Sequence, residues 1–165
     1  MSCRRDQRHL IGLVALACLA VLASGSSARS GEIAVFVGEP SPGESFGKAY
    51  GGSLSGTFFR LVTFEAEVAR YPGILDGQGM TSFSTGAFLA PTIGFLTPYG
   101  GFGVGVFRET LVDDSDNGTL TFFALGLKVH IGIVVLRGEY RTLGLSGEPL
   151  FAVDKRYSVG AGIDF

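Results

Sequence analysis

Between Glu32 and Phe165, apolar side chains return at every second position in eight separate runs, and this period of two decides what the chain can fold into. Alternation with period two marks a β-strand whose two faces meet different surroundings, whereas an amphipathic helix repeats every three to four residues. The runs span Glu32 to Gly38, Lys48 to Phe59, Val62 to Tyr71, Thr81 to Ala90, Thr97 to Phe107, Thr119 to Val129, Ile133 to Thr142 and Lys155 to Phe165. Most approach the length of about 9–11 residues that a tilted strand needs to cross a bilayer. No helical stripe of useful length competes with them.

The chemistry of the two faces narrows the choice. Ile33, Val35 and Val37 share a face, as do Val62, Phe64, Ala66 and Val68, then Phe123, Leu125, Leu127 and Val129. The opposite face carries glycine, serine and threonine together with Glu65, Glu67, Lys128, Arg137, Glu139, Arg141, Arg156 and Asp164. A soluble sandwich turns its apolar face inward. A membrane barrel turns it to lipid and lines its interior with the polar face. Composition leaves both arrangements open: hydrophobic residues are 46% of the chain and charged residues 17%, and no apolar run after the N-terminus approaches the length of a membrane helix, so the hydrophobicity belongs either to a well-buried soluble core or to alternating strands.

The connections alternate in length. Gly38 to Gly47, Pro72 to Met80, Arg108 to Gly118 and Leu143 to Asp154 are long and polar. Arg60 to Leu61, Pro91 to Leu96 and His130 to Gly132 are short. Short turns at one end and longer loops at the other, with an even strand count, are the pattern of an outer-membrane barrel. Closure also hides every strand edge, which matters where no water can satisfy a free amide.

Residues 1–28 read as a helical export signal. Arg4, Arg5 and Arg8 precede an apolar stretch from Leu10 to Leu22, and Ser26, Ser27 and Ala28 offer a cleavage site, with Ala23 an alternative. The barrel domain is then expected over residues 29–165. Cys3 and Cys18 leave with the signal, so no disulfide or thiolate chemistry is expected; Ala15, Leu16 and Ala17 fit poorly before an acylated Cys18. Losing Arg4, Arg5, Arg8 and Asp6 leaves ten basic against fourteen acidic residues, a net charge of −4 that gives no footprint for nucleic acid.

Three stretches carry a family resemblance. They are Tyr50-Gly51-Gly52-Ser53-Leu54, the glycine-rich Thr97 to Gly105, and the closing Tyr157 to Phe165. In these the chain resembles the outer membrane protein beta-barrel domain family, small eight-stranded barrels of the outer membrane protein A type. The resemblance implies an all-β, eight-stranded antiparallel up-and-down transmembrane barrel in a bacterial outer membrane. It implies lipids and lipopolysaccharide as surroundings and a monomeric state. Tyr157, Val159, Ala161, Ile163 and Phe165 stand where the family carries the signal read by the barrel-assembly machinery.

Candidate chemistry is sparse. Glu65, Glu67, Lys128, Arg137, Glu139 and Arg141 would share the narrow interior, where charges must pair. They would form either a stabilising plug, the favoured reading, or a gate. His130 is the one histidine after the signal and is expected at a short turn, with no serine–histidine–acid set around it, so neither catalytic residues nor a cofactor are expected. Asp113, Ser115 and Asn117 have calcium-loop spacing, but Ala124 stands where the bidentate carboxylate belongs, and no metal is expected. Asn117-Gly118 reads instead as turn chemistry. Glu39, Glu44, Asp76, Glu109, Asp113, Asp114, Asp116, Glu148 and Asp154 are assigned to acidic outer loops. A structural or surface-interaction barrel is therefore expected, ahead of a narrow passive pore and of a soluble lipocalin-like binder.

Overall fold

The computed structural model describes residues 28–41, 47–58, 61–74, 78–110, 115–146 and 153–165. Apart from Ala28, the proposed export signal lies outside these residues, as do Glu44, Asp76, Asp113, Asp114 and Glu148. Eight strands follow in order: β1 (Ala28–Ser41), β2 (Ala49–Phe58), β3 (Val62–Pro72), β4 (Gly79–Leu89), β5 (Leu96–Thr110), β6 (Ser115–Ile131), β7 (Val134–Ser146) and β8 (Lys155–Asp164). Each pairs antiparallel with its sequence neighbours, and β1 pairs with β8, closing the sheet. Gly31 and Phe165 exchange both backbone hydrogen bonds at the seam, at 2.7 and 2.8 Å. No helix among the described residues is long and apolar enough to cross a membrane.

Cross-strand register fixes the geometry. From Tyr50, directly opposite cross-strand partners run through Arg70 and Thr81 to Arg108 on β5. In the other direction they run through Val37, Val159, Gly138 and Leu127 to Pro98 on the same strand. One circuit thus slips the register by ten residues. For eight strands this means a tilt of about 40° and a backbone radius of about 8 Å.

The apolar face points outward. Val35, Val37, Phe102, Val104, Val159 and Phe165 are each more than half exposed. The residues expected to form the C-terminal signal, Tyr157, Val159, Ala161, Ile163 and Phe165, share this outer wall. The inner face holds the charges, and it also holds rings that alternation alone did not place there: Phe36, Tyr71, Phe88, Tyr99, Phe107 and Phe122 are buried in the lumen. Glycines on neighbouring strands make room for them. A Cβ on Gly51 would stand 2.6 Å from the Phe36 ring, and one on Gly103 2.5 Å from Phe122.

All four long connections are shorter than expected, the one between β5 and β6 most of all, and so is the β6–β7 turn. The β5–β6 pairing continues through Arg108–Asn117 to Thr110–Ser115, so most of the expected loop from Arg108 to Gly118 is strand. Asn117-Gly118 is accordingly not a turn. Gly118 lies opposite Phe107 and clears space for its ring, which a Cβ would approach to 2.4 Å. At the other end β6 runs to Ile131 and β7 starts at Val134, leaving Gly132-Ile133 as the hairpin tip. Gly132 has φ +65°, the left-handed conformation that the first central residue of such a tight turn requires. His130 is therefore a strand residue.

Candidate functional site

β7 organises the interior. Arg137, Glu139 and Arg141 occupy alternate positions and all point inward, so one strand supplies a cation–anion–cation ladder. β3 faces it with Glu65 and Glu67 at the same spacing. Arg137 donates to Glu65 Oε2 at 2.8 Å, to Ser53 Oγ at 2.9 Å and to Glu139 Oε2 at 2.6 Å. Arg141 donates from Nε to Glu139 Oε1 at 2.9 Å and reaches Glu65 at 3.2 Å and Glu67 at 3.0 Å. All six residues expected in the lumen are buried there, and five of them form one connected network.

The sixth, Lys128, is paired separately with Glu32 at 2.5 Å, nearer the end that carries Gly31 and Phe165. Glu32 begins the first apolar run and was not recognised as a lumen residue. Arg156 completes the main cluster. It clasps Glu67 through two bonds of 2.7 and 2.8 Å and also reaches Glu139 at 3.1 Å. Its alternation on β8 showed its face but not its partners, Glu67 lying 89 residues away in sequence and Glu139 17. Four cations thus meet four carboxylates, and each of the eight makes at least one ion pair.

Rings hold this cluster in place. The guanidinium of Arg141 lies 4.2 Å from the centre of the Phe122 ring, and that of Arg156 lies 4.4 Å from Phe36. Tyr99 donates its hydroxyl to Glu139 Oε2 at 2.9 Å. Toward the long-loop end the charges are followed by an apolar layer of Ala49, Met80, Phe107, Leu120 and Val153. Glu109, assigned from sequence to an outer loop, is instead fully buried on the inner face of β5, because that strand continues three residues beyond Phe107.

The other end is closed by a polar chain. His130 Nδ1 lies 2.9 Å from Asp164 Oδ2, and its Nε2 lies 3.1 Å from Thr97 Oγ1, which is also 3.1 Å from Thr92 Oγ1. The order hydroxyl–imidazole–carboxylate was not anticipated. β5, β6 and β8 bring it together because all three residues lie at the same end on the inner face. Thr97 is 4% exposed, so its hydroxyl is buried within this polar chain rather than presented.

An eight-stranded barrel with a lipid-compatible outer wall and an ion-paired interior is a transmembrane β-barrel, and its fold is that of outer-membrane proteins. The N-terminal β-barrel domain of Pseudomonas aeruginosa OprF superposes with a TM-score of 0.68 at 17% identity, over 85% of this chain and 100% of that one. Neisserial surface protein A gives 0.62 at 16% identity, over 82% and 95%. The Yersinia pestis outer membrane protein Ail gives 0.53 at 16% identity, over 82% and 99%. No family model and no curated protein sequence matches the chain.

Proposed function

We propose that this chain is exported to the bacterial outer membrane and serves there as a closed, monomeric barrel with a structural or surface-presenting role rather than as a solute pore. The observation that carries this reading is the paired interior. A backbone radius of about 8 Å leaves room only for side chains, and the side chains of Arg137, Arg141, Arg156, Glu65, Glu67 and Glu139 are each at most 5% exposed. Breaking such pairs to admit water and ions leaves buried charge uncompensated, which costs several kcal/mol per broken pair. The superposition on outer-membrane barrels supports the location. The long-loop end would face outward and the end with both termini the periplasm. The outward face ending in Phe165 would be read by the assembly machinery during insertion.

The direct test is outer-membrane fractionation with heat-modifiable gel migration, followed by planar-bilayer recording. A folded, faster-migrating outer-membrane species without stepwise current is expected. A freely soluble periplasmic protein overturns the barrel reading. Stable single-channel steps, in the wild type or opened by Glu67→Gln or Arg137→Gln, overturn the closed-barrel reading in favour of a pore or gate.

We also propose that the barrel is not an enzyme. Thr97, His130 and Asp164 follow the order of a nucleophile, base and acid, but a nucleophile must be approached by its substrate and Thr97 is buried. The chain reads better as a brace across β5, β6 and β8. A fluorophosphonate probe is expected to leave Thr97 unmodified in the folded protein; labelling lost in Thr97→Val would assign a hydrolase.

A further inference from the structure

The outer wall is apolar until the long-loop end, where β2 to β6 carry a row of polar side chains in direct register. Tyr50 pairs with Arg70, Arg70 with Thr81, Thr81 with Arg108 and Arg108 with Asn117. Inward positions on either side of Arg70 and Arg108 (Ala69, Tyr71, Phe107 and Glu109) are buried, so the two arginines point away from the lumen. Arg70 is half-buried and donates to Thr81 Oγ1 at 2.7 Å; Arg108 is exposed. One strand separates them, which places their backbones about 10 Å apart, within reach of a common ligand for two long side chains. Exposed Lys48 immediately precedes β2, two residues before Tyr50, the partner of Arg70.

A second feature lies directly beneath. Val68 and Phe83 are the next outward pair below Arg70 and Thr81. They head an apolar groove of about 380 Å³ lined by Ile33, Gly52, Leu54, Ala66, Val68 and Phe83. Gly52 and Ala66 create it by leaving small side chains on the wall. A cationic row above an apolar groove matches one kind of ligand: an anionic headgroup with an acyl chain below it. Two guanidiniums and an ammonium favour a dianionic phosphate monoester over a singly charged diester, since arginine binds phosphate through paired donors.

We propose that the β2–β5 wall binds one phosphorylated glycolipid of the outer leaflet. Its phosphate monoester sits among Lys48, Arg70 and Arg108, with the Thr81 hydroxyl as a neutral partner, and one acyl chain lies in the Gly52–Ala66 groove. This rests on the membrane-barrel reading above and adds the lipid's chemical class and its residues. The aromatic ring of Tyr50 beside Arg70 stands at the level where interfacial aromatics belong.

Native mass spectrometry of the membrane-extracted full barrel, exchanged into micelles containing lipid A, tests the assignment. Wild type is expected to retain lipid A. Arg70→Gln/Arg108→Gln is expected to lower retention by roughly tenfold or more, the worth of about one charge-assisted hydrogen bond. Lys155→Gln removes an exposed cation from β8, outside the row, and is expected to leave retention unchanged. Ala66→Phe fills the groove, leaves every cation in place and is expected to lower retention as well. Equal retention of dephosphorylated lipid A or of phosphatidylglycerol overturns the proposal. So does displacement by inorganic phosphate, unchanged retention in the arginine double variant, or equal loss in Lys155→Gln. Heat-modifiable migration is read on every sample. A chain that never migrates as a folded barrel fails the membrane-barrel reading, whereas a folded barrel without lipid discrimination fails this proposal alone.

Discussion

Glu139 is the residue on which the interior turns. Its two oxygens accept from Arg137, Arg141, Arg156 and Tyr99. Around it the main cluster holds three guanidiniums against three carboxylates, with Lys128–Glu32 balanced separately. Glu139→Gln keeps the shape and removes one charge, leaving a buried surplus of one cation. Loss of one partner from a buried ion pair costs about 3–5 kcal/mol, more than the pair contributes relative to an apolar replacement. The variant is therefore expected to unfold at clearly lower urea concentration in micelles, with the folded band lost at a lower temperature on gels. A midpoint equal to wild type would mean that water reaches the cluster and solvates the surplus charge. The charged positions of β3 and β7 were legible in the sequence because strict alternation put them on the face opposite the lipid-facing residues. Glu109 was not. Above Phe107 the outward residue is Arg108 rather than an aliphatic side chain, so the period-two signal ends where the hydrocarbon ends, while the hydrogen-bonded ladder continues. The same transition hid the register row of Arg70, Thr81 and Arg108.

At the scale of strands, β5 shows how glycine works in this barrel. Gly101, Gly103 and Gly105 alternate on its inner face, and a Cβ on each would come within 2.2 Å of a β4 carbonyl. These contacts are with backbone, so no rotamer change relieves them. At Gly103 the same Cβ would also meet Phe122, the ring that covers Arg141. Gly103→Val therefore sets β4 and β5 apart and displaces the aromatic cover of the ion cluster. Overpacking costs about 1–3 kcal/mol where side chains can shift, and the expected loss lies at the upper end of that range. Equilibrium unfolding in micelles measures it; a loss below about 0.5 kcal/mol, the usual size for a surface substitution, would show that the strands separate freely. In the sequence these glycines are visible as a strand with one aliphatic face. Their purpose is not, because the rings they accommodate come from Phe88 on β4 and Phe122 on β6, and only the register brings those together. Sequential pairing of all eight strands, by contrast, was readable in advance from the alternation of short and long connections.

For the whole molecule the relevant quantity is the height of its apolar wall. On β2, Tyr50 and Phe58 point outward eight positions apart, and Tyr157 on β8 and Phe165 just after it do the same. With strands tilted by about 40°, each residue climbs about 2.5 Å along the barrel axis, so both pairs bracket a band of about 20 Å. Side chains reaching up and down from the two aromatic rims extend this toward about 25 Å, the usual height for such barrels. A typical hydrocarbon core is about 30 Å thick. The barrel is rigid, being closed and ion-paired inside, and it cannot stretch to match a thicker bilayer. The lipid must thin around it, at a cost of a fraction of a kcal/mol per Å. Insertion into vesicles is therefore expected to be faster and more complete in dilauroyl than in dioleoyl phosphatidylcholine, followed by the appearance of the heat-modifiable band with time. Glu139→Gln, which alters the interior and leaves the outer wall intact, is expected to keep the same preference even though its folded state is weaker. Insertion that is indifferent to chain length would mean that the aromatic rims do not mark the edges of the membrane band, and that the wall meets lipid over a different span.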